Sequence, residues 1–303
     1  MSFWLRSGPS VLRSSPSNAA NDMSSDSAAL TADFLKANDP DRYYASLVIP
    51  EGKRAAVQSL YAFATEVASV RERVSEPAPG EIRLQWWDDA LSGKGHGNVR
   101  QNPVADTLLT TIGDYGLPVV PLQRLIAARR FDLYQDPMRD LTSFEGYAGE
   151  TVSVLYQFAA MILNDGVPVE EGDAAGHLGV ANALIGHVRA FGFNASQHRI
   201  FLPLPVFAAN GASERQILSG EASDGIRAAL GQFADLAREH LDKAEAAIAT
   251  LPRGLRRAFA YAPVLRAELA GLKHVQEQPF APPPAIAAWR KIAMMSWWAW
   301  RNG

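Results

Sequence analysis

The sequence contains no cysteine. Disulfides, thiolate nucleophiles and every metal site built on sulfur are therefore excluded. No apolar run approaches the roughly 18 residues that a membrane-spanning helix requires. A positive surplus is also missing: the net charge is −3 and the pI is near 6.1, so nucleic acid is not an expected partner. The phosphate-binding glycine loop, GxSxG and HExxH are all absent. None of the six histidines (His96, His177, His187, His198, His240, His274) has a second at ligand spacing of three or four. Read singly, each is a packed or solvated side chain. Lysine is scarce beside arginine, in an alanine-rich chain, as in a GC-rich bacterial genome. The last absence is local. No Asp or Glu occurs between Asp173 and Glu214, in a chain that has 32 of them. The centre of that gap, "LIGHVRAFGFNASQHRIFLP", reads as a helix end, a polar turn and an apolar restart.

What is present is helical. Apolar residues make up 48% of 303, enough to bury one large core or two small ones. In "GIRAALGQFADLAREHLDKAEAAIATL", Ile226, Leu230, Phe233, Ala237, Leu241, Ala244, Ile248 and Leu251 recur at steps of three and four, one stripe of a helix. "VADTLLTTIGDYG", "VPLQRLIAARRFDLYQD", "SFEGYAGETVSVLYQFAAMILND" and "GLRRAFAYAPVLRAELAGLKHVQ" repeat the pattern, with Gly/Pro punctuation between them. About ten helices follow from this periodicity. The expectation is a single all-α domain over residues 30–303. Residues 1–29 hold nine Ser, two Arg and no acid before Asp22. They read as a disordered tail, or as a start assigned too early with Met23 the real one. Their composition also resembles a mitochondrial transit peptide, and they lack the apolar core of a secretory signal.

The C-terminal "PPPAIAAWRKIAMMSWWAWRNG" carries four of the seven tryptophans with Arg290, Lys291 and Arg301. That is the composition of an interfacial helix. The alternative is that these tryptophans pack the last helix onto the rest.

"DRYYASLVIPEGKRAAVQSLYAFATEV", followed by "IRLQWWDDAL" and by "ANALIGHVRAFGFNASQHRIFLP", resembles the squalene/phytoene synthase family. Weaker likeness runs through "LQRLIAARRFDLY" and "YAGETVSVLYQFA". The resemblance implies an isoprenoid-synthase-type helical bundle around a central apolar cavity. Active members join two prenyl diphosphates head to head. Loss of diphosphate from an allylic carbon needs its charge neutralised by Mg²⁺, held by carboxylates four residues apart on facing helices. At those places this sequence has Ala68, Ser69 and Glu72 in one run, and Ala190, Phe193 and Asn194 in the other. Only Glu72 keeps a carboxylate. Glu66, Arg71, Glu150 and Arg189 are candidates for residual ligand contacts, and Phe63, Tyr147, Phe191 and Phe193 for the cavity wall.

The resemblance therefore implies a member without catalytic residues, metal or cofactor. Mg²⁺ enters only under the alternative, an active phytoene or squalene synthase-like transferase. A third reading is a binding module that holds a prenyl diphosphate through Arg71, Arg73 or Arg189. "TEVASVRERVS" and "RLQWW" resemble the branch of complex I assembly factors with this domain and their alphaproteobacterial relatives. That branch implies complex I subunits or assembly proteins as partners, a prenyl or other lipid as ligand, and peripheral contact with a membrane. The place implied is the cytoplasmic face of a bacterial inner membrane, or alternatively the matrix side of the mitochondrial one.

Overall fold

The structure is a computed structural model that describes residues 16–134, 136–169 and 173–303. No strand occurs among the described residues. Among the described residues there are sixteen α-helices, more than the ten or so that periodicity suggests; ten have ten residues or more, and the rest are short connecting helices.

The first helix, α1 (Pro16–Asn38), opens ahead of the boundary placed at residue 30. That boundary falls inside a helix, and Thr31 and Leu35 are the first buried side chains described. Residues 1–15 lie outside the described residues. Asp39 closes the step into α2 (Pro40–Ser46), its carboxylate accepting from Arg42 N at 3.0 Å, an ordinary N-cap. Next comes α3 (Glu51–Ala68), which buries Val57, Leu60, Phe63 and Val67 at helical spacing. Past Ala68 the chain tightens into a 3₁₀ turn over Arg71–Arg73. Pro77 then starts α4 (Pro77–Leu91) at a first-turn position, where its missing N–H costs nothing.

Asn102 caps α5 (Pro103–Tyr115), and Gly116 ends it in the left-handed region at φ 59°, which favours glycine. After it, α6 (Val119–Arg129) stops sooner than the "RRFDLYQD" pattern suggests and passes into a 3₁₀ turn over Arg130–Leu133. The segment 143–165 is also more than one α-helix. Helix α7 (Leu141–Ala148) and helix α8 (Val154–Leu163) are joined by a π-helical stretch, Gly149–Ser153. Periodicity cannot separate the three parts because nearly every residue from Thr151 to Leu163 is buried.

Helix α9 (Asp173–Arg189) crosses the π stretch backbone to backbone. The contact is at Gly179. A Cβ there would lie 2.1 Å from Ser153 Oγ and 2.5 Å from Ser153 N. Gly179→Ala is accordingly expected to lose about 1–3 kcal/mol by overpacking, and Gly179→Val more. Urea unfolding checks this, and an unchanged midpoint for Gly179→Val would refute the close approach.

The acid-free region continues through α10 (Phe191–Ser196) and α11 (Leu204–Ala209). A capping box between Ser213 and Gln216 opens α12 (Glu214–Leu218). The long α13 (Asp224–Thr250) packs against α9 with the predicted stripe: Ile226, Leu230, Phe233, Ala237, Leu241, Ala244, Ile248 and Leu251 are all buried. Then α14 (Arg253–Arg256), α15 (Ala262–Glu277) and α16 (Ala288–Asn302) complete the bundle. Inside it, the ends of α3, α6, α7 and α9 border the space that holds the candidate site.

Candidate functional site

The end of α3, the turn after α6, α7, and the α9–α10 junction surround a cavity of about 490 Å³. Ala68, Arg71 and Glu72 come to it from the first run, and Phe193 and Asn194 from the second. Ala68 and Glu72 share one wall, Ala68 from the last turn of α3 and Glu72 from the 3₁₀ turn that follows it, although the metal-binding chemistry of that spacing is gone. Glu72 lies exposed at the rim with no ion-pair partner among the described residues. Phe193, 67% exposed, presents a ring where the resemblance calls for an acid.

The other candidates face elsewhere. Glu66 is two residues from Ala68, about 200° around the helix. It opens instead on a smaller pocket with Arg73, Arg83 and Trp86. Its carboxyl is held above the usual range, first by burial, with Arg73 opposing. Arg189 is likewise two residues from His187, and its Nε lies 4.0 Å from Glu268. Ser69 turns its hydroxyl back to donate to the Glu66 carbonyl at 2.9 Å. Ala190 sits in the kink between α9 and α10, off the cavity wall. Glu150 is on the π stretch, 4.0 Å from Arg124. Of the four candidate wall aromatics, Tyr147 and Phe193 line the cavity. Phe63 packs on Trp87 with centroids 5.0 Å apart, and Phe191 stacks on Phe207 at 5.5 Å.

The cavity's floor is made by residues the motif comparison did not single out. Arg129 Nη1 donates to Asp132 Oδ2 at 2.9 Å and to Tyr147 Oη at 2.7 Å. Tyr147 in turn donates to Asp132 Oδ1 at 2.7 Å. Asp132 and Tyr147 are both buried, and burial together with Asp132 raises the phenol well above its usual value against the pull of Arg129. The Arg129–Asp132 spacing of three is visible in "ARRFDLY", but Tyr147 joins only through the fold. His187 lies between Phe144 and Phe201, with centroids 5.6 and 5.2 Å away. Burial pulls its pKa down to about 4, Asp132 opposing and Arg129 assisting. The imidazole is neutral at physiological pH.

This shift makes a stability prediction. The folded state keeps His187 neutral, whereas the unfolded chain takes up a proton near pH 6.5. The contribution is complete above 6.5 and is lost as the pH falls toward 4, up to roughly 3 kcal/mol. Urea unfolding at neutral pH and at about pH 4 should show a smaller acid loss for His187→Phe. Equal losses in the two proteins would refute the assignment.

Could the cavity hold Mg²⁺? Magnesium needs carboxylates close together, supplemented by ligand oxygens. Asp132 is engaged by Arg129 and Tyr147, and Glu72 stands alone on the rim. No group of three His, Cys, Asp or Glu side chains able to hold a metal occurs among the described residues. These residues do not fit a metal centre.

Two further features were hidden from sequence. His177 and His240, on α9 and α13, approach with Nδ1 to Nδ1 at 3.1 Å, and His240 Nε2 is 3.6 Å from Glu145. A second cavity of about 170 Å³ lies where Tyr61 stands two turns before Ala68 on α3, lined also by Asp39, Asp41, Arg42, Tyr156 and Tyr261.

A model of the family described as squalene/phytoene synthase matches residues 35–291. Over 276 residues the chain is 28% identical to mouse NADH dehydrogenase (ubiquinone) complex I, assembly factor 6, covering 91% of this chain and 82% of the mouse protein. It is 25% identical over 226 residues to 15-cis-phytoene synthase of Synechocystis, covering 71% of this chain and 66% of that enzyme. Its fold matches the crystal structure of squalene synthase HpnC from Alicyclobacillus acidocaldarius with a TM-score of 0.73 and 20% identity, over 85% of this chain and 97% of that one.

Proposed function

The chain belongs to the squalene/phytoene synthase family, and from that premise we propose that it is a catalytically silent member that acts in the assembly or stability of respiratory complex I. The observation that carries the reading is the cavity wall itself. Ala68, Phe193 and Asn194 line it where metal-binding acids belong, and Glu72 alone remains. Without placed carboxylates the cavity cannot hold the Mg²⁺ that neutralises a departing diphosphate in active members. The likeness to relatives named complex I assembly factor 6 supports the second half of the proposal.

Two experiments test it. Purified protein given farnesyl or geranylgeranyl diphosphate with Mg²⁺ or Mn²⁺ is expected to release no inorganic diphosphate above background. Release that Glu72→Ala abolishes would sink the silent reading in favour of an active head-to-head transferase. In a host deleted for the gene, NADH:ubiquinone oxidoreductase activity should fall, and both the wild-type chain and Glu72→Ala should restore it.

The work is done at a membrane surface, on the inner face of a bacterial or mitochondrial inner membrane. No described helix is long and apolar enough to cross one, but α16 offers a contact face. Trp289, Trp297 and Trp300 are 62–74% exposed and fall at steps of eight and three, one stripe. Arg290 and Arg301, also exposed, flank it, an arrangement suited to anionic headgroups. Replacing all three tryptophans by Ser should abolish flotation with anionic vesicles while leaving Tm unchanged. Undiminished flotation would remove the contact face from the proposal.

A further inference from the structure

We infer that His177 and His240 form a binding site for one late first-row divalent cation, Zn²⁺ or Cu²⁺, where α9 meets α13. The site is separate from the cavity, whose lining includes neither residue, and it stands whatever the chemistry there. The two Nδ1 atoms are 3.1 Å apart. Their rings meet at 64°, with centroids 5.1 Å apart. Two imidazole nitrogens bound to one ion at roughly 2.0–2.1 Å, with about 100° between the bonds, are also separated by about 3.1 Å. The two helices therefore already hold the nitrogens at the spacing of a chelate.

A carboxylate behind one ring points the same way. Glu145 Oε1 is 3.6 Å from His240 Nε2. Its negative charge favours a proton on Nε2 and leaves the Nδ1 lone pair facing His177. A carboxylate so placed orients metal-bound histidines and raises their basicity. With His240 as acceptor, the proton between the two Nδ1 atoms belongs to His177. An ion takes that proton's place. The proton passes through solvent from Nδ1 to Nε2 of His177, both rings stay neutral, and small ring rotations turn both Nδ1 lone pairs to the ion. The ligand type selects the ion: imidazole suits Zn²⁺, Cu²⁺ and Ni²⁺, whereas Mg²⁺ and Ca²⁺ take oxygen. No third His, Asp or Glu completes a metal-holding group among the described residues, so water fills the remaining positions. The neighbouring Glu239 and Lys243 pair with each other at 2.6 Å and bring no net charge. The side chains of His240 and Glu145 are 13% and 40% exposed, which gives the ion a way in.

The test is titration of the tag-free full-length protein, stripped with EDTA and freed of it, with Zn²⁺ and separately with Cu²⁺. Calorimetry should show one ion bound per chain. Tm should rise by about 2–4 °C at ten times the dissociation constant, and Mg²⁺ should not raise it. His177→Gln and His240→Gln should each remove the one-ion step, and Glu145→Gln should weaken it about tenfold. The electron paramagnetic resonance spectrum of bound Cu²⁺ should show coupling to two imidazole nitrogens. No saturable one-ion step in the parent protein, or a step that survives both histidine substitutions, would overturn the site and leave a hydrogen-bonded pair only. Should either variant fail to fold, the copper spectrum of the parent decides, and fewer than two nitrogens overturns the site. Neither result touches the catalytically silent reading, which diphosphate release tests on its own.

Discussion

Arg129→Met is expected to lower the unfolding free energy by about 3–5 kcal/mol at neutral pH, with a fall in Tm of the same sign. The reason is what the substitution leaves behind. One guanidinium nitrogen serves Asp132 and Tyr147 at once, and both residues are at least 90% inaccessible. Without the cation, Asp132 is a buried carboxylate whose remaining described partner is the Tyr147 hydroxyl. The methionine restores most of the packing volume, so the loss is electrostatic. A double-mutant cycle separates the terms. Arg129→Met with Asp132→Asn should recover a large part of the stability, because the neutral amide no longer needs the cation. If the double variant were as unstable as the sum of the singles, the pair would be uncoupled and this account of the cavity floor wrong.

Lys291→Met should cost about 3 kcal/mol and should act at a distance from the cavity. Lys291 reaches inward from α16 while its tryptophan neighbours face out. Its Nζ is 2.5 Å from Asp41 and 3.4 Å from Glu268. Tyr261 donates to the same Asp41 at 2.9 Å. Glu268 is only 6% exposed, and its other cation, Arg189, stands off at 4.0 Å. One ammonium thus joins α16 to α2 and α15. Its loss leaves two carboxylates facing each other in a poorly hydrated place, and α16 should detach before the bundle melts. Limited proteolysis should then cut near residue 285 in the variant and not in the parent. Intact α16 under conditions where Tm has dropped would show that apolar contacts, chiefly Met295 and Ala299, hold it alone.

How much of this could be read from residues depended on whether a pattern is local. The α13 stripe was legible because every member sits three or four from the next. So was the loss of the metal ligands, since it is read from residue identity alone, and both Ala68 and Glu72 reach the cavity even though α3 ends between them. The direction of neighbouring side chains was less legible. Glu66 and Arg189 looked like site residues by proximity in the chain, yet a displacement of two residues turns each to the far side of its helix. Glu150 lies on the π stretch, off the cavity wall, and that stretch alters the facing of side chains in a segment that reads as one continuous helix. The Arg129–Asp132–Tyr147 floor and the His177–His240 contact depend on partners 15 and 63 residues apart, which helical spacing cannot join.

The exposed tryptophans of α16 also give the protein an optical signature of its own. Trp87 is 3% exposed, so it should emit at short wavelength whatever the stripe touches. Trp289, Trp297 and Trp300 emit from water, and the rings of the last two are 5.0 Å apart, close enough to exchange excitation. Any event that dries the stripe should move the emission of these three and leave that of Trp87 still. A quencher dissolved in the buffer would divide the two populations in the same way, so the unlabelled chain reports its own docking.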